Sequence, residues 1–251
     1  MFVDLEGIRR WFDGYVGGFD LGDPMIEMKR VHSIDVWRVG GRLVEAMSWP
    51  RPEAEVGSAA CLLHDVGRFT QYRDFGTYYD RASVDHGERG YDVLSTEFPS
   101  ALADAEAMEA VLQAVRHHNK KDLPSPDSLP PAVLPFCRLV RDADKLDIFA
   151  LTRRRMDAGT LDAMLPGHAA RAEVTPALLD EIEACGSGSY RNAHTLLDFL
   201  LIQLTWIEDL NFAPSRRMLY ESGILERIRG SFVHCGERTL KVVDGLLASE
   251  R

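Results

Sequence analysis

The sequence predicts an all-α protein, and three observations support that prediction. Apolar residues recur at helical spacing in several segments, and prolines and glycines interrupt the chain between those segments. No alternation of apolar and polar residues is long enough to indicate a strand. No tandem repeat or low-complexity tract is present. We therefore expect helices joined by short connections.

Composition and charge limit the class of protein. A chain of 251 residues, of which 45% are hydrophobic and 27% charged, can bury a sizeable core. The net charge of −10 argues against wholesale nucleic-acid binding, because phosphate backbones are held by clustered lysines and arginines. No apolar run approaches the roughly 20 residues that cross a bilayer. The first residues, MFVDLEG, do not read as a signal peptide. We expect a cytoplasmic protein without membrane or nucleic-acid partners.

The four cysteines are scattered along the chain, which argues against a disulfide framework and against a zinc knuckle. We expect all of them to be small buried hydrophobic residues. They are Cys61, Cys137, Cys185 and Cys235.

Five helices are predicted in the first part of the chain. Pro24 is well placed at the start of the first helix, and Ser83 is a plausible N-cap of the third. Gly67 suits the left-handed turn that commonly closes a helix, so His64 and Asp65 are expected in the last turn of the second. The predicted helices cover residues 25–47, 53–65, 84–97, 101–119 and 133–154.

The segment from Arg68 to Ala82 is aromatic and charged without a clean period, so we predict an ordered loop. Its aromatic residues interleave with Arg68, Arg73 and Arg81, which suits the wall of a pocket for a ring-bearing or phosphorylated ligand. A loop that is pinned to the core by its own aromatic residues fits the same pattern equally well. Beyond it, helical patterns cover about 176–184, 192–209, 215–228 and 232–248.

Five of the predicted helices carry residues that suit a divalent cation. Neutral imidazoles and carboxylates are good ligands for such ions, and adjacent residues can approach one ion together. Near the end of the series, Asp144 follows Ala143 and is the acid most expected to face inward. We interpret Asp142 and Asp147 as solvated partners of basic residues, and Asp142 stays an alternative to Asp144. The full series is His32, His64 with Asp65, His86, His117 with His118, and Asp144.

The order H…HD…H…H…D resembles the HD-domain superfamily of metal-dependent phosphohydrolases. The minimal ligand set of that family falls on four residues, His32, His64, Asp65 and Asp144. The resemblance implies an all-α HD-domain helical bundle with additional C-terminal helices. The resemblance covers about 25–155, which is the expected metal-binding core. With the helical patterns beyond it, we expect one domain over 1–251 with a C-terminal extension at about 170–251.

Two more histidines resemble the extra ligands of family members that hold two metals. They are His86 and one of the adjacent pair, for which His118 is preferred to His117. The resemblance therefore implies two divalent ions, chosen from Mn, Fe, Ni, Zn or Mg, with the carboxylate of Asp65 bridging them. The Gly-Tyr-Pro signature of the family's cyclic-di-nucleotide phosphodiesterases is absent, so that substrate is not expected.

Two basic residues are candidates for substrate binding. Arg68 holds the position where many relatives have a lysine in His-Asp-x-Gly-Lys, and a guanidinium there suits bidentate binding of a phosphate. Lys145 is the second candidate, although a solvated helix lysine explains it as well.

The resemblance implies hydrolysis of a phosphate ester or anhydride in a nucleotide or another small phosphorylated metabolite. A metal-bound hydroxide would attack phosphorus, with Asp65 and Arg68 as catalytic residues. Two further functions stay open at this point. Some HD-fold proteins with a similar ligand order are mixed-valent di-iron oxygenases. The chain could instead be a non-catalytic nucleotide-binding regulator, with the C-terminal helices as an interaction or homodimer surface.

Overall fold

The computed structural model describes residues 1–125, 129–164 and 173–248. Within these ranges the chain is helical, with one isolated bridge between Val3 and Ala103 and no strand. The prediction of an all-α protein is therefore confirmed. None of the helices in these ranges has both the length and the apolar character that a membrane span requires.

The first compact unit covers Met1–Asp147. Within this unit α3 packs against α1, α2 and α6, and α5 packs against both α4 and α6. The unit also contains α7 as far as Asp147. The helices are α1 (Leu5–Val16), α2 (Pro24–Ala46), α3 (Arg51–Leu63), α4 (Val66–Phe75), α5 (His86–Glu97), α6 (Ala105–His117) and α7 (Leu134–Asp157).

Aspartates cap several of these helices, because a side-chain carboxylate accepts hydrogen bonds from amides that the first turn leaves unpaired. Asp23 caps α2 through the amide of Met25, and Asp104 caps α6 through the amide of Ala107. Asp85 accepts from two first-turn amides of α5, at 3.0 and 3.1 Å. The prediction that Ser83 is the N-cap of this helix is therefore wrong.

Helix α4 replaces most of the loop that was predicted after Gly67. The helix covers Val66–Phe75, so the predictions of an irregular segment and of a left-handed closing turn are wrong there. A Cβ atom on Gly67 would lie 2.4 Å from the carbonyl oxygen of His86 and 2.5 Å from the amide nitrogen of Gly90. Glycine is therefore needed for the close approach of α4 and α5, and not for a turn.

The first helix, α1, was not predicted, although its sequence carries a signal. Its buried residues Ile8, Phe12 and Val16 recur every four positions, which is a helical spacing. Asp4 caps it by accepting from the amide of Gly7 at 2.9 Å.

The second compact unit covers Ile148–Arg251, and within it α12 packs against three other helices. The helix predicted over 215–228 is divided at Gly223, whose φ of 69° is left-handed and favours glycine. Residues 170–172 and 249–251 of the expected extension lie outside the described residues, and the expectation of one domain over 1–251 stays a prediction. The helices are α8 (Pro176–Cys185), α9 (Leu196–Thr205), α10 (Ala213–Glu221), α11 (Ile224–Gly230) and α12 (Glu237–Ala248).

None of the four cysteines forms a disulfide bond. Cys61, Cys137 and Cys235 are buried, as expected. Cys185 is exposed, because it is the last residue of α8 before the turn at Gly186. The expectation of burial is wrong for this residue.

Candidate metal centre

Six side chains that the sequence singled out lie close together in the first unit. Five of them are buried, and Asp144 is the most accessible, with 21% of its side chain exposed. They come from different elements: His32 from α2, His64 and Asp65 from the junction of α3 and α4, His86 from the start of α5, His118 from the end of α6, and Asp144 from α7.

The carboxylate of Asp65 lies between two pairs of imidazoles. Its Oδ2 atom is 3.6 Å from the Nε2 atoms of both His32 and His64. Its Oδ1 atom is 3.6 Å from Nε2 of His86 and 3.5 Å from Nε2 of His118. We call His32, His64 and Asp144 the first half of the cluster and His86 and His118 the second half, with Asp65 shared by both.

The first half is compact. The Nε2 atom of His32 is 3.2 Å from Nε2 of His64 and 3.1 Å from Oδ1 of Asp144. One ligand atom from each of these three residues lies within 4.8 Å of the others, an arrangement that can hold a metal ion. The other nitrogen of His32, Nδ1, donates to Oδ2 of Asp147 at 2.8 Å.

The position of Asp147 corrects one interpretation from the sequence. Asp147 is 3% exposed and Asp142 is fully buried, so the view of both as solvated acids is wrong. Asp144 and Asp147 are three residues apart on α7, which places both on one helix face, and both contact His32.

In the part of the chain that the structure describes, the second half has two imidazoles and no counterpart of Asp144, but one of its histidines is also supported by an aspartate. Nε2 of His86 is 3.0 Å from Nε2 of His118, and Nδ1 of His86 donates to Oδ2 of Asp80 at 2.6 Å. Of the adjacent histidine pair, the structure brings His118 into the cluster. His117 instead places its Nε2 atom 3.1 Å from Oε1 of Gln113.

Two hydrogen bonds to backbone carbonyls fix the tautomer of the central imidazoles. Nδ1 of His64 donates to the carbonyl of Cys61 at 2.9 Å, and Nδ1 of His118 donates to that of Val115 at 2.7 Å. A carbonyl oxygen only accepts, so Nδ1 holds the proton and the Nε2 lone pair stays available for a metal. The donor set therefore fits divalent metal ions.

The electrostatic environment favours the ligand forms of most of these groups. Burial lowers the pKa of His64 to about 3, and burial together with Arg68 lowers the pKa of His86 to about 4. Burial acts against ionisation of Asp65, but the charge of Lys29 and the neighbouring imidazoles hold its pKa well below the usual range. Neutral imidazoles and ionised carboxylates are the forms that bind metal.

His32 is the exception. Burial and Lys29 act to lower its pKa, but hydrogen bonds to Asp144 and Asp147 outweigh them and raise it to about 9. A metal held by the first half would compete with a proton for His32.

Sequence reasoning missed Lys29. Its Nζ atom donates to Oδ2 of Asp65 at 2.8 Å and lies 5.5 Å from the ring centroid of Tyr78. Lys29 precedes His32 by three residues, so the two share a face of α2, and this spacing was a usable signal.

Arg68 also lies beside Asp65, with its Nε atom 3.5 Å from Oδ1 of that residue. Its Nη1 atom donates to Oε1 of Gln71, to the carbonyl of Tyr78 and to Oδ1 of Asp80, at 2.9, 2.6 and 2.8 Å. Lys145 is half-buried on α7. The roles of Arg68 and Lys145 in substrate binding stay predictions.

Comparison with known proteins gives one family. Residues 30–149 match the family model described as HD domain, and that segment contains all six residues of the cluster. Neither the curated proteins nor the solved structures contain a match to this chain.

Proposed function

We propose that this chain is a metal-dependent phosphohydrolase, because residues 30–149 match the HD-domain family model. Its substrate is a phosphate ester or anhydride of a nucleotide or of another small phosphorylated metabolite. The HD-domain match supports metal-dependent hydrolysis in general, but it does not indicate a particular substrate.

The position of Asp65 is the main support for this proposal. Each of its two carboxylate oxygens faces a different pair of imidazole Nε2 atoms, at 3.5 to 3.6 Å. His32, His64 and Asp144 would hold one ion, His86 and His118 would hold a second, and Asp65 lies within reach of both. Divalent ions held there would lower the pKa of a water ligand toward neutrality and would offset phosphate charge.

The residues around the cluster fit an anionic substrate in spite of the net charge of −10. Lys29 and Arg68 place two cationic groups beside Asp65, within 2.8 and 3.5 Å of its oxygens. Such local positive charge attracts a phosphate into a protein that is acidic overall. Asp144 is the most exposed residue of the cluster, so a substrate approaches on its side.

Aromatic residues next to the cations support a ring-bearing substrate. The ring centroid of Tyr78 lies 5.5 Å from Nζ of Lys29 and 5.7 Å from the guanidinium carbon of Arg68. Tyr72 lies against Tyr78, with 5.0 Å between the ring centroids. Aromatic faces bind nucleobases by stacking, which favours a nucleotide among phosphorylated metabolites.

Oxygen chemistry is the second candidate function, and the composition of the cluster supports it. Four imidazoles and two carboxylates suit iron as well as Mn, Ni or Zn. In that case the protein is a di-iron oxygenase, and its substrate is oxidised instead of hydrolysed.

The test is elemental analysis by mass spectrometry of protein purified without added metal, followed by incubation with a nucleotide panel. We expect about two divalent ions per chain, as in two-metal phosphohydrolase sites, and release of phosphate or of a shortened nucleotide. Asp65→Ala should lose both metal and turnover. Asp92→Ala, which removes an exposed carboxylate from α5, is the matched control and should lose neither.

Two irons per chain together with oxygen uptake would show that the protein is an oxygenase and not a hydrolase. Nucleotide binding that persists in Asp65→Ala, without turnover in the wild type, would identify a regulator. A wild type that binds no metal after reconstitution would refute both enzymatic proposals.

A further inference from the structure

One imidazole of the cluster is held differently from the other three. His64 and His118 donate to carbonyls three residues earlier in the chain, and His32 donates to Asp147 on α7. His86 donates to Asp80. Asp80 lies outside the α-helices, in the short 3-10 segment Asp80–Ala82 of the connection between α4 and α5. The orientation of His86 therefore depends on how this connection is held.

Asp80 is held by two side chains of α4 and by Asn119, whose Nδ2 atom donates to Oδ2 of Asp80 at 3.3 Å. Its Oδ1 atom accepts from Nη1 of Arg68 at 2.8 Å and from Nε2 of Gln71 at 2.9 Å, while Oδ2 accepts from His86. Gln71 is fully buried, and its Oε1 atom accepts from the same Nη1 atom of Arg68. Arg68 also binds the carbonyl of Tyr78, so it fastens the connection at two points.

We propose that Arg68 is a positioning residue for the second half of the cluster. It orients Asp80, Asp80 holds His86 toward Asp65, and Arg68 thereby sets the affinity of the second half for its ion. The inference rests on the proposed function, because it concerns ions bound by the same cluster. It assigns to Arg68 a role that is separate from the phosphate contact that the sequence suggested.

The direction in which metal affinity changes when Arg68 is removed distinguishes a positioning role from a purely electrostatic one. Arg68 is a cation near the cluster, and its charge alone repels a metal ion, as it also lowers the pKa of His86. Removal of that charge alone would strengthen metal binding. Removal of a positioning residue weakens it, because loss of a partner that orients a ligand typically costs about 10- to 100-fold in metal affinity. A residue that only contacts phosphate leaves metal binding unchanged without substrate.

The experiment is equilibrium dialysis of the full chain, stripped with a chelator, against Mn²⁺ alone, with bound Mn counted per chain. We expect two sites in the wild type. In Arg68→Ala one site should keep its affinity, and the other should weaken by about 10- to 100-fold. Asp80→Asn should weaken the same site. The double variant should be no weaker than the more affected single variant, because the two residues act in one chain of contacts.

Arg73→Ala is the matched control, since Arg73 is an exposed arginine of the same helix that pairs with Asp74. It should bind Mn²⁺ as the wild type does. Arg68→Ala that binds both ions as tightly as the wild type, or more tightly, would overturn the proposal, and so would a wild type with a single site. If Arg68→Ala does not fold by circular dichroism, unchanged Mn²⁺ affinity in Asp80→Asn overturns it instead.

A different result would contradict the proposed function, namely two bound ions without hydrolysis of any phosphorylated compound. That outcome leaves the role of Arg68 intact.

Discussion

Both halves of the cluster have two imidazoles and share Asp65, but among the described residues only the first half has a carboxylate of its own, Asp144. The halves also differ in what supports their histidines. In the first half, His64 and His32 are held by groups of α3 and α7 that occupy regular helical positions. In the second half, His118 is held by its own helix, while His86 depends on Asp80 in a connection. The helices thus confer rigidity on the first half, whereas the second half depends on a set of side-chain contacts. We expect the first half to bind its ion more tightly.

The largest effect should come from removing the residue that both halves share. Asp65→Ala should abolish binding of both ions and lower activity by more than about 100-fold, because loss of a supporting residue alone costs about 10- to 100-fold. Metal analysis and turnover of the same preparation measure this. A variant that keeps one ion at wild-type affinity would show that the halves are independent and that Asp65 belongs to one of them.

Substitution of each of the two supporting acids should weaken ion binding by one half only. Asp147→Asn should weaken the ion of the first half, and Asp80→Asn that of the second, each by about 10- to 100-fold. Asp147 is 3% exposed, so its variant should also unfold at a lower temperature than the Asp80 variant. Mn²⁺ titration and thermal denaturation of both proteins test this pair. If both variants weaken the same site, the division into halves is incorrect.

A smaller effect should follow from crowding the contact between α4 and α5. In Gly67→Ala the new methyl group meets backbone atoms at 2.4 and 2.5 Å, so α5 must shift and carry His86 with it. We expect a loss of about 1–3 kcal/mol in the free energy of unfolding, measured in urea, with a weaker second ion.

Gly41→Ala is the control for that substitution. Gly41 is a helical glycine of α2, and a Cβ atom there meets nothing within 4 Å. Alanine should therefore stabilise the protein by up to about 1 kcal/mol. Equal destabilisation by both variants would argue against a special role of the contact at Gly67.

The smallest effect should come from His117. Its imidazole contacts Gln113 and takes no part in the cluster, so His117→Ala should change stability by no more than about 0.5 kcal/mol. Metal content should be unchanged, whereas His118→Ala should lose the second ion. If His117→Ala lost metal, the assignment of His118 to the second half would be incorrect.

Much of this organisation was predictable from periodicity and from the resemblance to a known family. Helical spacing of apolar residues located most of the helices, and the order of histidines and aspartates singled out the residues that the structure brings together. Helix α4 escaped prediction because its buried face includes the polar residues Thr70 and Gln71, which bind side chains and backbone near the site instead of packing in an apolar core.

The long-range contacts of the supporting residues were unpredictable for a different reason. Lys29 meets Asp65 across 36 positions of the chain, and His32 meets Asp147 across 115. Neither contact leaves a periodic trace in a single sequence. Asp80 is only six residues from His86, but it lies in an irregular connection, where no period indicates which acid faces inward.

The carbonyl partners of His64 and His118 have a consequence for how this protein tolerates mutation. Every amino acid at positions 61 and 115 supplies a backbone carbonyl, so no single substitution there removes the acceptor. Asp80 and Asp147 are side-chain partners, and one codon change deletes either of them. A single substitution can therefore remove the partner of His32 or of His86, whereas no substitution at positions 61 and 115 removes the carbonyls that orient His64 and His118.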